Sequence, residues 1–428
     1  MSLEKDLSKL LDAEVISEET AEKIRGFYEG QKSNSSGRMF LAFGILGAVL
    51  VGLGIILIIA HNWDELSRST KTVLAFLPLI VGHLVCLYSL WKKDSSPAWR
   101  EGSATFLFCA VGASIALISQ IYHIKGDFEE YMFTWMLLSI PLVYLMRSSM
   151  ASLLCIIGVT TYGANSGYDW NSSMPSYYYW LFFSSLLPHY YLLFNKHKNG
   201  NFLIFHHWGI PISLTICLGI VSESTEEYML LAYSGLFGLY YLIGKLDFFK
   251  NQTLRNNSYL IMGALGTLFM LIMTSFEDIW KGIYEKTELL SEFYFVPEFY
   301  AALLISGVGI YLIMHFKKSN RIDSILPLGL GFLVIIFTFY VEIWLPVAPI
   351  IINLTVLTIG IWIVRIGAKI DHLGQLNFGL IIIAVLVTCR FFDTDLSYVL
   401  RGTMFLMVGA GFFGTNYWML KKRRTDEK

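Results

Sequence analysis

Charged residues are scarce in this chain. Asp, Glu, Lys and Arg make up 15% of its 428 residues, whereas soluble domains carry about 25%. With 55% hydrophobic residues and a mean hydropathy of +0.56, that deficit points to lipid as the solvent. The net charge of −1 offers no field for nucleic acid. Cysteine is nearly absent too. Cys86, Cys109, Cys155, Cys217 and Cys389 all sit in apolar runs without a CxxC pair or metal-ligand spacing. They read as small buried hydrophobes, which excludes a disulfide framework and a zinc site. HExxH, GxSxG and Walker motifs are missing, so no catalytic, metal or cofactor constellation can be drawn and the chain reads as a non-enzyme. Gly409-Ala-Gly411-Phe-Phe-Gly414 spells GxGxxG, but it lies in an apolar run with no strand before it. It reads as close helix packing.

What is present is a succession of long apolar runs. A helix crossing the hydrocarbon needs about 20 mostly apolar residues. Such runs lie at roughly 39–60, 71–91, 103–123, 130–147, 149–166, 177–194, 202–221, 228–244, 257–276, 298–316, 323–344, 347–364, 373–390 and 398–420. They are too long, and alternate too little, for a membrane barrel. The expected fold is therefore all-α, a polytopic bundle of about fourteen spans. The pairs joined around Arg147 and around Pro346 can each be read as two crossings or as one re-entrant element. The first 38 residues are polar, and the run after them lacks an A-x-A-like exit. That run reads as an uncleaved signal-anchor.

The distribution of positive charge tests the count. With the N-terminus inside and fourteen crossings, 25 of the 32 Lys and Arg residues fall inside. The outside holds Arg68, Lys71, Lys125, Lys281, Lys286, Arg390 and Arg401. The bias follows the positive-inside rule and places both ends in the cytoplasm. Three segments follow: 1–38, a cytoplasmic helical hairpin and linker; 39–420, the transmembrane domain; and 421–428, a basic tail.

In the first segment, Leu3, Leu7, Leu10 and Leu11 form a stripe at helical spacing, and Ser17 is an N-cap ahead of Glu18 and Glu19. Two such short helices are marginal alone. Residues 1–31 therefore dock either on the protein's own membrane part or on a protein partner. The bilayer is the other partner, and oligomeric state is not legible.

Candidate binding residues gather at the span ends expected outside. The first span ends in Ala60-His61-Asn62-Trp63-Asp64, and the third in Gln120-Ile121-Tyr122-His123 with Gly126-Asp127 beyond. Glu342 lies one turn before the end of the eleventh, and Arg390-Phe391-Phe392-Asp393 ends the thirteenth. Buried polar groups in lipid must find partners, so Asn62, Trp63, Gln120, Tyr122, His123, Glu342, Arg390 and Asp393 are candidates for an outward-facing vestibule. Each also has a plainer reading. Trp63 fits an aromatic belt, His123 a helix cap, and Arg390 with Asp393 a structural ion pair. Glu342 reads as the one charge well inside a span. His83 and His189 read as interhelical hydrogen-bonders, and His206-His207 as a headgroup contact near an inner end. The stretch 277–297, with Glu277, Asp278, Glu285, Glu288, Glu292 and Glu298 at its edge, reads as an acidic solvated loop.

Ile16-Ser17-Glu18-Glu19, Ala60-His61-Asn62-Trp63-Asp64 with Lys71, and Gly112-Ala113-Ser114-Ile115-Ala116…Gln120-Ile121-Tyr122-His123…Gly126-Asp127 resemble the bacterial membrane-protein family catalogued as domain of unknown function 2157. Arg390-Phe391-Phe392-Asp393…Arg401-Gly402…Phe405 is similar to the end of such proteins. The resemblance is best over about 1–160 and 373–424. It implies an inner-membrane protein of a family without an established activity, with Asn62, Trp63, Gln120, Tyr122 and His123 at family-type positions. Two functions stay open. One is binding or transport of a small solute or ion through the vestibule. The other is a non-catalytic sensor, assembly factor or lipid-interacting scaffold acting through the hairpin.

Overall fold

The computed structural model describes residues 7, 10–13, 15–24, 63–169, 172–196, 200–222, 226–250, 252–285, 296–342, 347–393 and part of 399–417. The first expected span, the linker, the basic tail, Asn62 and Gly44, Gly47, Gly52 and Gly54 lie outside them. Every regular element among the described residues is helical. The chain divides into two compact units, Met1–Phe76 and Leu77–Lys428.

In the first unit, Ser17 caps the helical stretch 18–24 by accepting the Thr20 N–H at 3.3 Å, and Leu7 and Ala21 are buried. Trp63 opens a short 3-10 turn, Trp63–Glu65, with the Lys71 ammonium 5.6 Å over its ring. Helix α1, Arg68–Lys92, starts in this unit and runs on past its end at Phe76; the Ser67 hydroxyl oxygen just before it accepts the Thr70 N–H at 3.2 Å.

The second unit continues through α2 (Pro97–Tyr122), α3 (Phe128–Leu145), α4 (Ser149–Tyr168), α5 (Tyr178–Lys196), α6 (Asn201–Cys217), α7 (Glu226–Gly244) and α8 (Ser258–Met273). It ends with α9 (Glu277–Glu285), α10 (Pro297–Lys318), α11 (Gly331–Glu342), α12 (Ala348–Lys369) and α13 (Leu373–Asp393). Six of these helical segments are long and apolar enough to cross a membrane: α1, α2, Asn201–Val221, α10, α12 and Leu373–Phe391. Three shorter apolar ones are Tyr228–Gly244, Ser258–Met273 and Leu328–Val341. The turn at Arg147 separates two helices, α3 and α4, of 18 and 20 residues. The expected eleventh span is instead broken into Ile322–Ile325, Leu328–Leu330 and the 12-residue α11.

Two cores organise this unit. One joins α2 to α6 around Met136, Cys155, Tyr162 and Tyr179. The other joins α7, α8 and α10 to α13 around Tyr240, Leu271, Phe332 and Val356. Trp180 and Leu214 pack against both. Glycine sets the closest approaches. A Cβ on Gly263 would lie 2.1 Å from the Tyr241 backbone nitrogen, and one on Gly112 would lie 2.5 Å from the Trp135 ring. Trp135 in turn donates its indole N–H to Phe108 O at 2.9 Å. At Gly409, Gly411 and Gly414 a Cβ would meet nothing within 4 Å, so the close packing expected there is not seen among the described residues.

Polar groups repair the helices where proline breaks them. Pro211, inside α6, cannot donate to the carbonyl four residues earlier. That carbonyl belongs to His207 and takes the Ser258 hydroxyl from α8 instead. A comparable interhelical bond to a carbonyl joins α3 to α5, where Ser185 O takes the Tyr144 hydroxyl. Contacts between helix ends are equally orderly. Ser173 reaches Asp127 at 3.4 Å, Ser222 reaches Glu298 at 3.3 Å, and Asn353 donates to Ser275 O at 3.0 Å. Arg321 pairs with Asp247 at 2.6 Å. Each tie joins ends that an up-and-down alternation places on one side.

Several expectations need correction. Part of the acidic stretch is helix α9. It buries Trp280 and pairs Lys281 with Asp278 at 3.0 Å and Glu277 at 3.4 Å. The hydrogen bond it donates to Asp278 and the charge of Glu277 hold that ammonium above its ordinary pKa. Glu298 is not solvated but fully buried in the first turn of α10, and Glu129 is buried in the first turn of α3. Negative charge is favourable at helix starts, which is why carboxylates tolerate these sites. Cys109 is exposed, although all five cysteines are free thiols.

Candidate functional site

The polar residues that the fold brings together lie at one end of the α2–α6 bundle. Helix α2 starts at Pro97, which suits a first turn because that N–H is unpaired in any helix. One turn later Glu101 reaches the start of α4. Its carboxylate accepts the Ser149 N–H at 3.0 Å, the Met150 N–H at 2.8 Å and the Ser148 hydroxyl at 2.5 Å. Ser148 itself accepts the Ala151 N–H at 3.1 Å. The open donors of α4 are thus capped from a second helix, and the carboxylate sits at the positive end of the helix dipole.

Beside this cap lies a cavity of about 470 Å³, lined by residues of α2 to α6 and the turns beside them. Arg100, Arg147, Lys196, Glu101, His189 and Ser149 supply its polar wall, and Val143, Leu192 and Leu193 an apolar one. The volume falls in the range of small-molecule sites, about 300–1,000 Å³. Arg147, held at φ 48°, approaches Asp94 to 4.0 Å with both side chains well exposed, a pair worth little.

Behind the cavity stands a buried histidine cluster. His189 Nε2 is 3.4 Å from the Ser149 hydroxyl, and the His189 and His206 rings are 5.9 Å apart. His206 Nδ1 is 2.7 Å from Phe202 O, a carbonyl that can only accept, so that nitrogen carries the proton. Its Nε2 then accepts the Ser152 hydroxyl at 3.0 Å. The Tyr190 hydroxyl lies 2.8 Å from His207 Nδ1 and 3.3 Å from the Tyr259 hydroxyl. His207 Nε2 finds no partner among the described residues and is ringed by Phe248, Phe249 and Tyr259. The interhelical role expected of His189 is present. His206 and His207 are not headgroup contacts, being 0% and 2% exposed. His83 is exposed and bonds within its own helix, to Leu79 O at 2.8 Å.

The residues singled out from sequence lie elsewhere. Gln120, Tyr122 and His123 are exposed at the far end of α2. His123 closes that helix in the left-handed conformation, φ 52°, its N–H bonded to Ser119 O. Arg390 belongs to the other core's end of the unit. Its guanidinium donates to the Ser275 hydroxyl at 3.2 Å and stacks 4.3 Å over Phe276. The Glu342 and Asp393 side chains and all of Asn62 lie outside the described residues. Trp63 belongs to the first unit. Sequence reasoning missed Arg100, Glu101 and Arg147 because each looked like an ordinary loop charge. The available signal was their position at span ends that alternation places on one side.

The fold and the composition define a helical membrane protein. Residues 8–152 match the model of the family described as Predicted membrane protein (DUF2157), the same family that the sequence motifs resemble. Arg100, Glu101, Arg147 and Ser149 fall within the matched segment, and His189 and Lys196 lie beyond it. No curated protein and no solved structure matches the chain.

Proposed function

We propose that this is a multi-pass protein of the bacterial inner membrane, with about fourteen spans and both ends in the cytoplasm. Its helical domain binds a small polar solute or ion for transport or sensing, without catalysing a reaction. The supporting observation is the α2–α6 cavity, with three cationic side chains, one carboxylate and a buried imidazole set against an apolar wall. The helix ends around it are those that the positive-inside bias places in the cytoplasm, so the solute is met from that side. Thermal unfolding of the detergent-purified chain against a panel of ions, sugars, amino acids and carboxylates tests this. A solute at about 100 times its dissociation constant adds roughly 2.7 kcal/mol, and Leu192→Trp, which fills the cavity, removes the shift. A panel without any shift, or a shift that Leu192→Trp retains, overturns the reading.

A further inference from the structure

We infer that the group held in this cavity is a phosphate, an assignment that rests on the solute-binding reading above. The charges around the cavity do not balance locally. Arg100, Arg147 and Lys196 come from three different helix ends. The carboxylate among them, Glu101, is already committed to three donors at the start of α4. Asp94 lies 4.0 Å from Arg147, and both are exposed, which leaves most of that guanidinium's charge available.

Arg100 adds a sharper constraint. Its Nε is shielded from solvent and finds no acceptor among the described residues. A buried donor without an acceptor is costly, more so when charged. The guanidinium that carries this unanswered donor lines the cavity, and its planar fork matches an oxyanion in bidentate fashion. His189, in the same wall and 7% exposed, offers an imidazole edge to a further oxygen.

Cations convergent from three helices suit a tetrahedral anion with several oxygens better than a planar carboxylate, which one arginine satisfies. A metal cation would be repelled, and a neutral sugar would leave the positive charges unanswered. The apolar side of the cavity, with Leu192 and Tyr144 partly open to the surroundings, also accommodates the acyl portion of a phospholipid. The phosphate therefore comes from a free anion or a lipid headgroup.

The test uses the full chain in an uncharged detergent, with binding read by thermal unfolding and titration calorimetry. The probes are inorganic phosphate, dioctanoyl phosphatidylglycerol, dioctanoylglycerol and succinate. Either or both phosphate probes raise the unfolding midpoint, while dioctanoylglycerol and succinate do not. Arg100→Gln and Lys196→Gln each weaken the phosphate probe roughly tenfold or more. Arg100→Lys recovers part of the loss, and Lys317→Gln, a charge loss elsewhere on the surface, changes nothing. Phosphatidylglycerol acting without inorganic phosphate identifies a headgroup site, and inorganic phosphate acting alone identifies a free-anion site. A shift from succinate or a neutral solute that Leu192→Trp abolishes, with none from either phosphate probe, overturns the phosphate assignment and leaves the solute-binding reading standing. A phosphate shift indifferent to Arg100→Gln and Lys196→Gln overturns the assignment too. Silence from every probe and every panel solute overturns both.

Discussion

Replacing Glu101 by alanine removes one acceptor group from three donors at once: the N–H groups of Ser149 and Met150 and the Ser148 hydroxyl. Hydrogen bonds to a charged group are worth about 1.5–3 kcal/mol each, and a carboxylate at a helix start adds about 0.3–1 kcal/mol. The terms do not add fully, since Glu101 is half-buried beside the cavity and water can replace part of what is lost. A net destabilisation of about 2–3 kcal/mol follows, which lowers the unfolding midpoint by roughly 5 °C. Glu101→Gln keeps an acceptor oxygen but loses the charge and costs about half as much. Ser148→Ala alone costs about 1 kcal/mol as a lost N-cap. Because Ser148 and Glu101 share a bond, the double variant departs from additivity by at least about 0.5 kcal/mol. Scanning fluorimetry of the four purified variants reads these effects. A wild-type midpoint for Glu101→Ala, or strict additivity with Ser148→Ala, refutes the account of α4 as a helix capped from α2.

Gly263→Ala drives a methyl into the Tyr241 backbone, which cannot yield as a side chain would. It costs about 1–3 kcal/mol and broadens the size-exclusion peak, whereas Gly307→Ala in α10 meets nothing within 4 Å and is neutral or stabilising in the same assay. Arg390→Ala loses the Ser275 bond and the Phe276 stacking and lowers the unfolding midpoint by an amount equivalent to about 1–3 kcal/mol. Arg390→Lys recovers less than half of that, because an ammonium does not stack as a planar guanidinium does. Single cysteines placed at Lys125 and Lys250 in a cysteine-free background report topology. A membrane-impermeant maleimide labels position 125 on intact cells and position 250 only after permeabilisation, and the reverse pattern overturns the proposed orientation.

Sequence and structure part company at identifiable places. The low charge content and the long apolar runs determined an all-helical membrane protein, since a lipid-solvated backbone must satisfy its hydrogen bonds within each helix. Proline and charged breaks located most helix ends within a few residues, as at Ser149 and Gly244. The Ser17 cap was legible because capping depends on neighbours in the chain. Local periodicity cannot reveal which helix end meets which. Whether Glu101 reaches Ser149, whether His206 is solvated or fully buried, and whether Arg100 faces an acceptor are questions about residues tens of positions apart. The residues that looked functional in sequence were polar side chains at span ends, and several of those end a helix in the ordinary way, as His123 does. The tertiary structure alone decided where uncompensated charge collects. That depends on which partners packing supplies, and packing of helices against one another is set by shape and glycine contacts that no single segment encodes.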